Sequence, residues 1–509
     1  MPTFAAVDIG ANSVRLKISR WVHQRLRVIH EDREVVRLGE SVFAQGMLSP
    51  AAMARTVKVL RRFHKAAREH GAEQVRVIAT SALRDARNGQ AFIDWVHMRT
   101  GWSVEVVSGI EEARLIHLGV ITSLRITQWP LLLIDLGGGS CELTISAKNQ
   151  IRETVSLPLG AVRLTQEFLR HDPPREDELE QLHGLISEEI RRVARRINSA
   201  HVKAVIATSG TAAALATSAQ AIRGAKNTRD TTVQATTLVR LADMLALLSY
   251  SERTRIRGIG TRRAEIIVAG AAVFAELVKR CNLPGFRYSP LGLRDGMLVE
   301  MAASFGRNAR STRQLAIERW DSLLAAGKHY QVDTEQAQHV RHLVLEVFAA
   351  LRSVHRLPPE YEEWLSAAAM LMDAGAYVNR TGWHRHTHYI IANSEILGYT
   401  PQQRRIIAAI SRYLGSSLPS PSHKVIRALD PLDGELVPKA VALLRMARAL
   451  NQGRRKAVLG VRGRERNGMV TLKVRTSRRI SADLELWALR KERGYFRAVF
   501  GRELEAEAS

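Results

Sequence analysis

Cysteine is nearly absent from this 509-residue chain, which has only Cys141 and Cys281. Two thiols are too few for a disulfide framework or a thiolate metal centre. Aromatic residues are 6% of the chain and gather around apolar runs, which leaves little stacking surface for single-stranded nucleic acid. No finger, homeodomain or RNP signature accompanies them, so no specific nucleic-acid partner is expected. Long apolar runs are missing too: no stretch approaches the roughly 18 uninterrupted apolar residues of a membrane span. Strand-like residues begin by Phe4, leaving no room for the apolar part of a signal peptide. A cytoplasmic protein without a membrane partner is expected. The patterns GxxxxGK[ST], GxSxG and HExxH are all absent, which argues against a P-loop nucleotidase, a serine-hydrolase elbow and a zincin.

Acidic residues are the last shortage, 50 against 75 Lys and Arg, for a net charge of +25. Such a surplus implies attraction to polyanions without saying which. Most of the basic residues are spread over helices such as residues 188–197, EEIRRVARRI, where a solvated helix face is the better reading.

What is present begins with residues 131–143, LLLIDLGGGSCEL. An apolar run that meets an aspartate, three glycines and a serine reads as a buried strand turning sharply back, with backbone amides free to face a ligand. Residues 6–16, AVDIGANSVRL, repeat it in register: Asp8 with Asp135, Gly10 with Gly137, Ser13 with Ser140, Leu16 with Leu143. VIATSA at 77–82 is echoed by VIATSG at 205–210 at nearly the same offset. Two matched pairs at one spacing predict two related α/β halves whose Gly/Ser turns face each other across a cleft.

Between the motifs, strands are expected at 4–9, 14–19, 26–31, 34–38, 74–79 and 104–107, with a loop at 39–48. Pro50 opens a helix to about His70. The run TSALRDARNG enters a helix that continues through 92–97, with Arg84 and Asn88 on one face. Ser108 fits an N-cap with Glu111 in the capping-box place, which leaves Glu112 free for chemistry. Linkers are expected at 125–128 and 307–313, and a polar stretch at 226–230. Residues 311–450 read as helical, and from 457 the segments MVTLKVR, ADLELWAL and YFRAVFG read as a terminal sheet unit.

Two facing Gly/Ser turns would make an amide-lined pocket for phosphoryl oxygens, with Asp8 and Asp135 delivered into it by their strands. Carboxylates beside phosphate call for a divalent cation, Mg²⁺ being the natural choice for an oxygen-ligated site. Glu142, on the returning strand, either orients water around that ion or is an exposed strand carboxylate.

The motifs DIGANS, ATSALRDARNG, SGIEEARLIHLGV, DLGGGSCEL, RRAEIIVAG and SPLGLRDGML, taken in order, resemble those of the exopolyphosphatase / guanosine pentaphosphate phosphatase (Ppx/GppA) family. The resemblance spans roughly residues 4–300 and extends weakly through GWHRHTHYII and the terminal strands. It implies an α/β fold: a duplicated actin/Hsp70/sugar-kinase-like (ribonuclease H-like) core, a C-terminal helical HD-like domain and a small strand-rich terminal unit. The corresponding domains are 1–125, 126–305, 306–452 and 453–509. It implies hydrolysis of phosphoanhydride bonds, either terminal ones of inorganic polyphosphate or the 5′ phosphate of pppGpp, with Mg²⁺ or Mn²⁺ required. The catalytic carboxylate would be Glu112 with Glu111 its neighbour, and the metal groups would be Asp8, Asp135 and Glu142. Phosphate would be gripped by Gly10, Asn12, Ser13, Arg84, Gly137, Gly138, Gly139, Ser140, Gly210 and Thr211. A homodimer is implied, with polyphosphate and pppGpp or ppGpp as small-molecule partners.

The helical region resembles an HD domain, yet the His-Asp pair reads Met372-Asp373, so one ligand is missing. His339, His342, His384, His386 and His388 remain, and the region is read as a basic structural and substrate-channel module rather than a metal centre. A non-catalytic polyanion- or nucleotide-binding regulatory protein is the competing class, because fold does not fix function.

Overall fold

The computed structural model of the chain describes every residue except 24, 125, 224–230, 305–308, 467 and 509, and leaves out the side chains of 304, 309–312 and 314. The expected polar stretch 226–230 lies outside the described residues. The chain divides into two compact units, Met1–Ala316 and Ile317–Ser509.

The first unit is built on two sheets. One is formed by β1 (Thr3–Ile9), β2 (Ser13–Val22), β3 (Arg25–Val35), β4 (Gln74–Ala79) and β5 (Val104–Val106), in the order β3-β2-β1-β4-β5. The other is formed by β6 (Leu131–Leu136), β7 (Cys141–Ala147), β8 (Gln150–Leu157), β9 (Ala204–Thr208), β10 (Thr232–Gln234) and β11 (Gly285–Tyr288), in the order β10-β11-β9-β6-β7-β8.

The halves share their central connectivity. β1 pairs antiparallel with β2 and parallel with β4, while β6 pairs antiparallel with β7 and parallel with β9. Both aspartate strands are central and covered on both faces, so Phe4, Ala5, Ala6 and Val7, like Leu131 to Ile134, are buried almost completely. That is why each reads as a continuous apolar run rather than an alternating one. The architecture is mixed α/β, with two similarly folded sheet-and-helix halves.

Several local expectations need correction. Residues 39–48 are not a plain loop: Gly39–Gln45 is a helix, closed by Gly46 in the left-handed region (φ 74°) and buried through Val42. The two strands expected at 26–31 and 34–38 are one strand, β3, because charged residues such as Asp32 and Arg33 alternate on an edge strand without breaking it. The helix expected through 80–97 is two, Ser81–Asp85 and Gly89–Thr100. Asn88 stands between them with its side chain bonded to Leu48 N (2.8 Å) and Leu48 O (3.0 Å), so it does not share a helical face with Arg84. Ser108 does cap the helix Gly109–Ser123, accepting from Glu111 N at 3.2 Å.

The second unit is helical from Ile317, and its core gathers residues such as Val344, Leu365, Ile407 and Leu443. The linker expected at 307–313 is helical from Ala309, the start of Ala309–His329, while 307 and 308 lie outside the described residues. A three-stranded sheet of β12 (Val458–Arg466), β13 (Met469–Thr476) and β14 (Glu503–Ala508) closes the chain. ADLELWAL and YFRAVFG are not strands in it. They form the helices Asp483–Lys491 and Arg493–Phe500, which bury Glu485, Ala488, Leu489 and Phe496. That i, i+3, i+4 spacing is helical, and the alternation in D-L-E-L-W-A-L concealed it. No described helix is long and apolar enough to cross a membrane.

Candidate active site

The two Gly/Ser turns are built alike. Gly10 N donates to Ser13 O at 3.2 Å, and Gly137 N donates to Ser140 O at 2.9 Å. They meet face to face: a Cβ on Gly138 would lie 3.1 Å from Ala11 Cβ and 3.3 Å from Asn12 N. Between them lies a cleft of about 320 Å³, lined by Asp8, Gly10, Asn12, Ser13, Glu112, Asp135, Gly137, Gly138, Ser140 and Gly210.

Asp135 and Glu142 stand directly opposite each other across β6 and β7, which directs both side chains to one face of the sheet. Glu112 approaches from the first turn of the helix Gly109–Ser123. One oxygen from each of Glu112, Asp135 and Glu142 falls within 4.8 Å of the others. Glu142 also accepts from Ser156 Oγ at 2.8 Å, and Asp135 accepts from Thr208 Oγ1. One oxygen of Glu112 and one of Glu142 are buried without a hydrogen-bond partner.

So much buried like charge shows in the titration of the cluster. Burial, then Glu142 and Asp135, hold the Glu112 carboxyl well above the usual range. Burial, then Asp135, push Glu142 up to about 7. Asp8 and Asp135 are raised as well, chiefly by burial, against the pull of Arg15. Three hard oxygen donors whose ionised forms repel one another, two with an orphaned oxygen, fit a divalent cation such as Mg²⁺ or Mn²⁺.

Four arginines line the same cleft: Arg15, Arg33, Arg263 and Arg294. Arg15 and Arg33 are cross-strand neighbours in the β2–β3 register, a like-charge placement that costs energy unless an anion sits between them. Arg33 Nε and Nη2 are buried without a partner. Burial, then Arg15, lower the Arg33 guanidinium to about 10, and burial, then Arg33, lower Arg263 to about 9. Arg263 lies across Gly210, where a Cβ would come 1.4 Å from its Nη2; only glycine admits it there.

The remaining expected site residues are placed as follows. Asp8 lines the cleft but stands outside the three-carboxylate cluster. Gly139, Thr211, Arg84, Glu111 and Glu142 are not on the cleft wall. A Cβ on Gly139 would lie 2.2 Å from Ser81 Oγ, and Thr211 is buried against Gly270. Arg84 donates to Val107 O at 2.8 Å and lies 4.0 Å from Glu112 Oε2, behind the cluster. Glu111 binds Arg114 at 2.7 and 2.8 Å, and Arg114 in turn binds Glu300 at 2.8 Å.

Sequence reasoning missed Arg15, Arg33, Arg263, Arg294 and Ser209. Ser209 has φ 82°, a strained value for serine, and its buried Oγ has no partner. The signal for the last was the sharp polar turn Thr208-Ser209-Gly210-Thr211; for Arg15, Arg263 and Arg294 it was their position within the motifs, whereas Arg33 lies in none of them.

The profile of the Ppx/GppA phosphatase family matches residues 17–305. The chain belongs to that family. The profile of Ppx/GppA phosphatase domain III matches residues 319–493, in the helical unit. Among solved structures, an exopolyphosphatase from Cytophaga hutchinsonii is 28% identical with a TM-score of 0.56, over 59% of this chain and 98% of that one. The Aquifex aeolicus PPX-GPPA enzyme is 30% identical with a TM-score of 0.50, over 58% of this chain and 98% of the other. Membership of the Ppx/GppA family and the buried acidic cluster are together consistent with a metal-assisted phosphohydrolase.

Proposed function

We propose that the chain is an exopolyphosphatase-type hydrolase that removes the terminal phosphate of inorganic polyphosphate by attack of water. The observation that carries this reading is one cleft whose wall combines four arginines with Glu112 and Asp135, two members of a three-carboxylate cluster that Glu142 completes. Asp135 and Glu142 would hold Mg²⁺ or Mn²⁺, with Asp8 adding a carboxylate from the opposite turn. When bound, the ion supplies neutralisation of the charge on the phosphoryl oxygens.

Glu112 orients the attacking water and takes its proton, a task that suits a carboxyl held well above its usual range. The water oxygen forms the new bond to the terminal phosphorus, and the bond to the bridging oxygen breaks. The turns carrying Ser13, Ser140 and Ser209 receive the phosphoryl oxygens, while Arg15, Arg33, Arg263 and Arg294 neutralise the next phosphates. Glu111, held by Arg114, positions the helix that carries Glu112.

The shared connectivity of the two sheets supports an actin/Hsp70/sugar-kinase-like core, with 1–125 and 126–305 as its subdomains. The domains 306–452 and 453–509 and a homodimer complete the reading. Phosphate release from long-chain polyphosphate, pppGpp and ATP in the presence of Mg²⁺ tests it. Polyphosphate is expected to give the highest kcat/KM. A preference for pppGpp moves the assignment to the nucleotide, and no release from any substrate leaves a binding protein.

A further inference from the structure

The helix that carries Glu112 crosses a helix from the far end of the first unit. Gly109–Ser123 and Leu293–Ser304 meet in backbone contact: a Cβ on Gly296 would lie 1.8 Å from Leu115 O, and one on Gly119 would lie 2.7 Å from Gly296 N. Leu115, Ile116, Met297 and Leu298 of these helices pack with Phe4 and Ile78 of the first sheet and Leu133 of the second. The same helices and β4 also contribute buried charge, and Glu300 stands at its centre. Glu300 Oε1 accepts from Arg114 Nη2 at 2.8 Å, and Glu300 Oε2 accepts from Arg76 Nη1. Arg76, on β4, is bound as well by Glu105 of β5 at 3.0 Å. Arg114 is fully buried, and Arg76 and Glu300 are each 8% exposed. Burial acts to lower the Arg76 guanidinium, but Glu300 and then Glu105 raise it above its ordinary value.

Charges set this deep are a poor source of stability, because desolvation offsets most of their attraction and apolar residues of similar size often serve as well. What the bridge supplies is position. Arg114 lies two residues beyond Glu112, so a hold on its guanidinium fixes the rotation and depth of the first turn of that helix. Glu111 alone cannot do this, since it shares the helix with Arg114 and ties that turn to itself. Glu300 ties the turn to a second helix and, through Arg76, to the first sheet. Asp135 and Glu142, which Glu112 has to meet, are carried by the second sheet. The start of Leu293–Ser304 is anchored separately: Lys17 pairs with Asp295 at 2.9 Å, and Arg294 donates to Leu16 O at 3.0 Å. Loss of the Glu300 bridge therefore leaves Arg294 in the cleft.

We propose that Glu300 is a positioning residue for the hydrolytic step: by joining Arg114 to Arg76 it fixes where Glu112 stands against Asp135 and Glu142. The inference rests on the hydrolase reading and on Glu112 as its base. Glu300 itself touches neither substrate nor reacting water, and its effect passes through the helix.

The test compares full-length Glu300→Gln, Glu300→Asp and Glu105→Gln with wild type by steady-state kinetics on polyphosphate with Mg²⁺, by urea denaturation and by crystallography. Glu300→Gln keeps the shape and loses the charge. It should lower kcat at least about tenfold with KM little changed, since a misplacement of about 1 Å can cost roughly 10²-fold. Glu300→Asp keeps the charge but is one methylene too short to span both guanidinium groups. It should lower kcat in the same way, and it serves if Glu300→Gln does not fold. Glu105→Gln takes a carboxylate from the same Arg76 without touching the tie to Arg114, so it should lower stability and keep kcat. In crystals of the Glu300 variants the Glu112 carboxylate should stand about 0.5 Å or more from its wild-type place, with Asp135 and Glu142 unmoved. Wild-type kcat in a folded Glu300 variant overturns the proposal, as does an unmoved Glu112. An equal loss of kcat in Glu105→Gln also overturns it, because that pattern marks a general loosening of the core. If the wild type cleaves no phosphoanhydride, the hydrolase reading falls, and the place of Glu112 in the variant crystals still decides whether Glu300 holds it.

Discussion

Asp135 and Glu142 face each other across β6 and β7, and at the matching place in the first half Asp8 faces Arg15 across β1 and β2. The duplicated turn thus carries an acid pair on one side of the cleft and an acid–base pair on the other. The acid pair can hold a cation, while the first half can answer an anion. Asp135→Asn and Glu142→Gln are each expected to weaken Mn²⁺ binding at least about tenfold, since each removes a donor from a three-carboxylate set. Electron paramagnetic resonance titration of free Mn²⁺ reads the affinity directly. Wild-type affinity in both variants would remove the cation from this site.

Glu112 and Glu111 are adjacent in the chain but do different things. Glu112 belongs to the carboxylate cluster, whereas Glu111 is tied to Arg114. Glu112→Gln should lower kcat by about 10²–10⁴ with little change in KM, the range for loss of a general base. Glu111→Gln should keep most of kcat yet lower stability by about 1–3 kcal/mol, because it weakens a charged contact to fully buried Arg114. Steady-state kinetics and chemical denaturation of both variants separate the roles, and a reversed pattern exchanges the assignments.

Stability should also depend on pH through Glu178. Its carboxylate accepts from Arg170 N (3.0 Å), His171 N (3.4 Å) and Arg175 N (3.1 Å) and bonds His171 Nδ1 (2.8 Å), fastening the start of the helix Glu176–Ser199. Burial acts to raise this group, but His171 and the three amides prevail and hold it at about 2, below an ordinary 4.5. A depressed carboxyl stabilises the fold above its unfolded value and loses that contribution as pH falls through the folded one. Urea midpoints measured from pH 5 down to pH 2 should therefore fall more steeply in wild type than in Glu178→Gln. Parallel curves would show that this carboxylate contributes nothing to the fold's acid response.

The halves and their turns were legible in the sequence because the physics there is local. A buried strand must be apolar, a tight turn near a ligand needs glycine, and both leave spaced patterns. Glu112 was legible because an N-cap at Ser108 marks the helix start and needs at most one of the two carboxylates that follow; the Glu111 side chain goes to Arg114 instead of closing a capping box. Arg33 was not, since HEDREV looks like the charged edge strand it also is, and only the β2–β3 register sets it beside Arg15. Arg263 is brought in by the close approach of a distant segment over Gly210, which no local pattern records. The terminal helices Asp483–Lys491 and Arg493–Phe500 were hidden because seven residues can satisfy a period of two and a helical face at once.

The pairing of Arg15 with Arg33 makes the last prediction, and it runs in two directions. Without an anion, two guanidinium groups face each other on adjacent strands, and two nitrogens of Arg33 are buried with no acceptor. Replacing Arg33 with methionine removes the repulsion and the unsatisfied donors while keeping the apolar stem that packs along the strand. The ligand-free protein should then gain about 1 kcal/mol or more of stability, reversing the usual sign for a substitution at a half-buried site. A phosphate chain, by contrast, loses a charge-assisted partner, so KM for polyphosphate should rise at least about tenfold with kcat less affected. Melting temperature in phosphate-free buffer and KM on the same preparation are the two measurements. If Arg33 served only the fold, both would worsen together; if it were an idle surface charge, neither would move. Stability rising as affinity falls is the outcome that requires Arg33 to be held in a strained place for the sake of an anionic ligand.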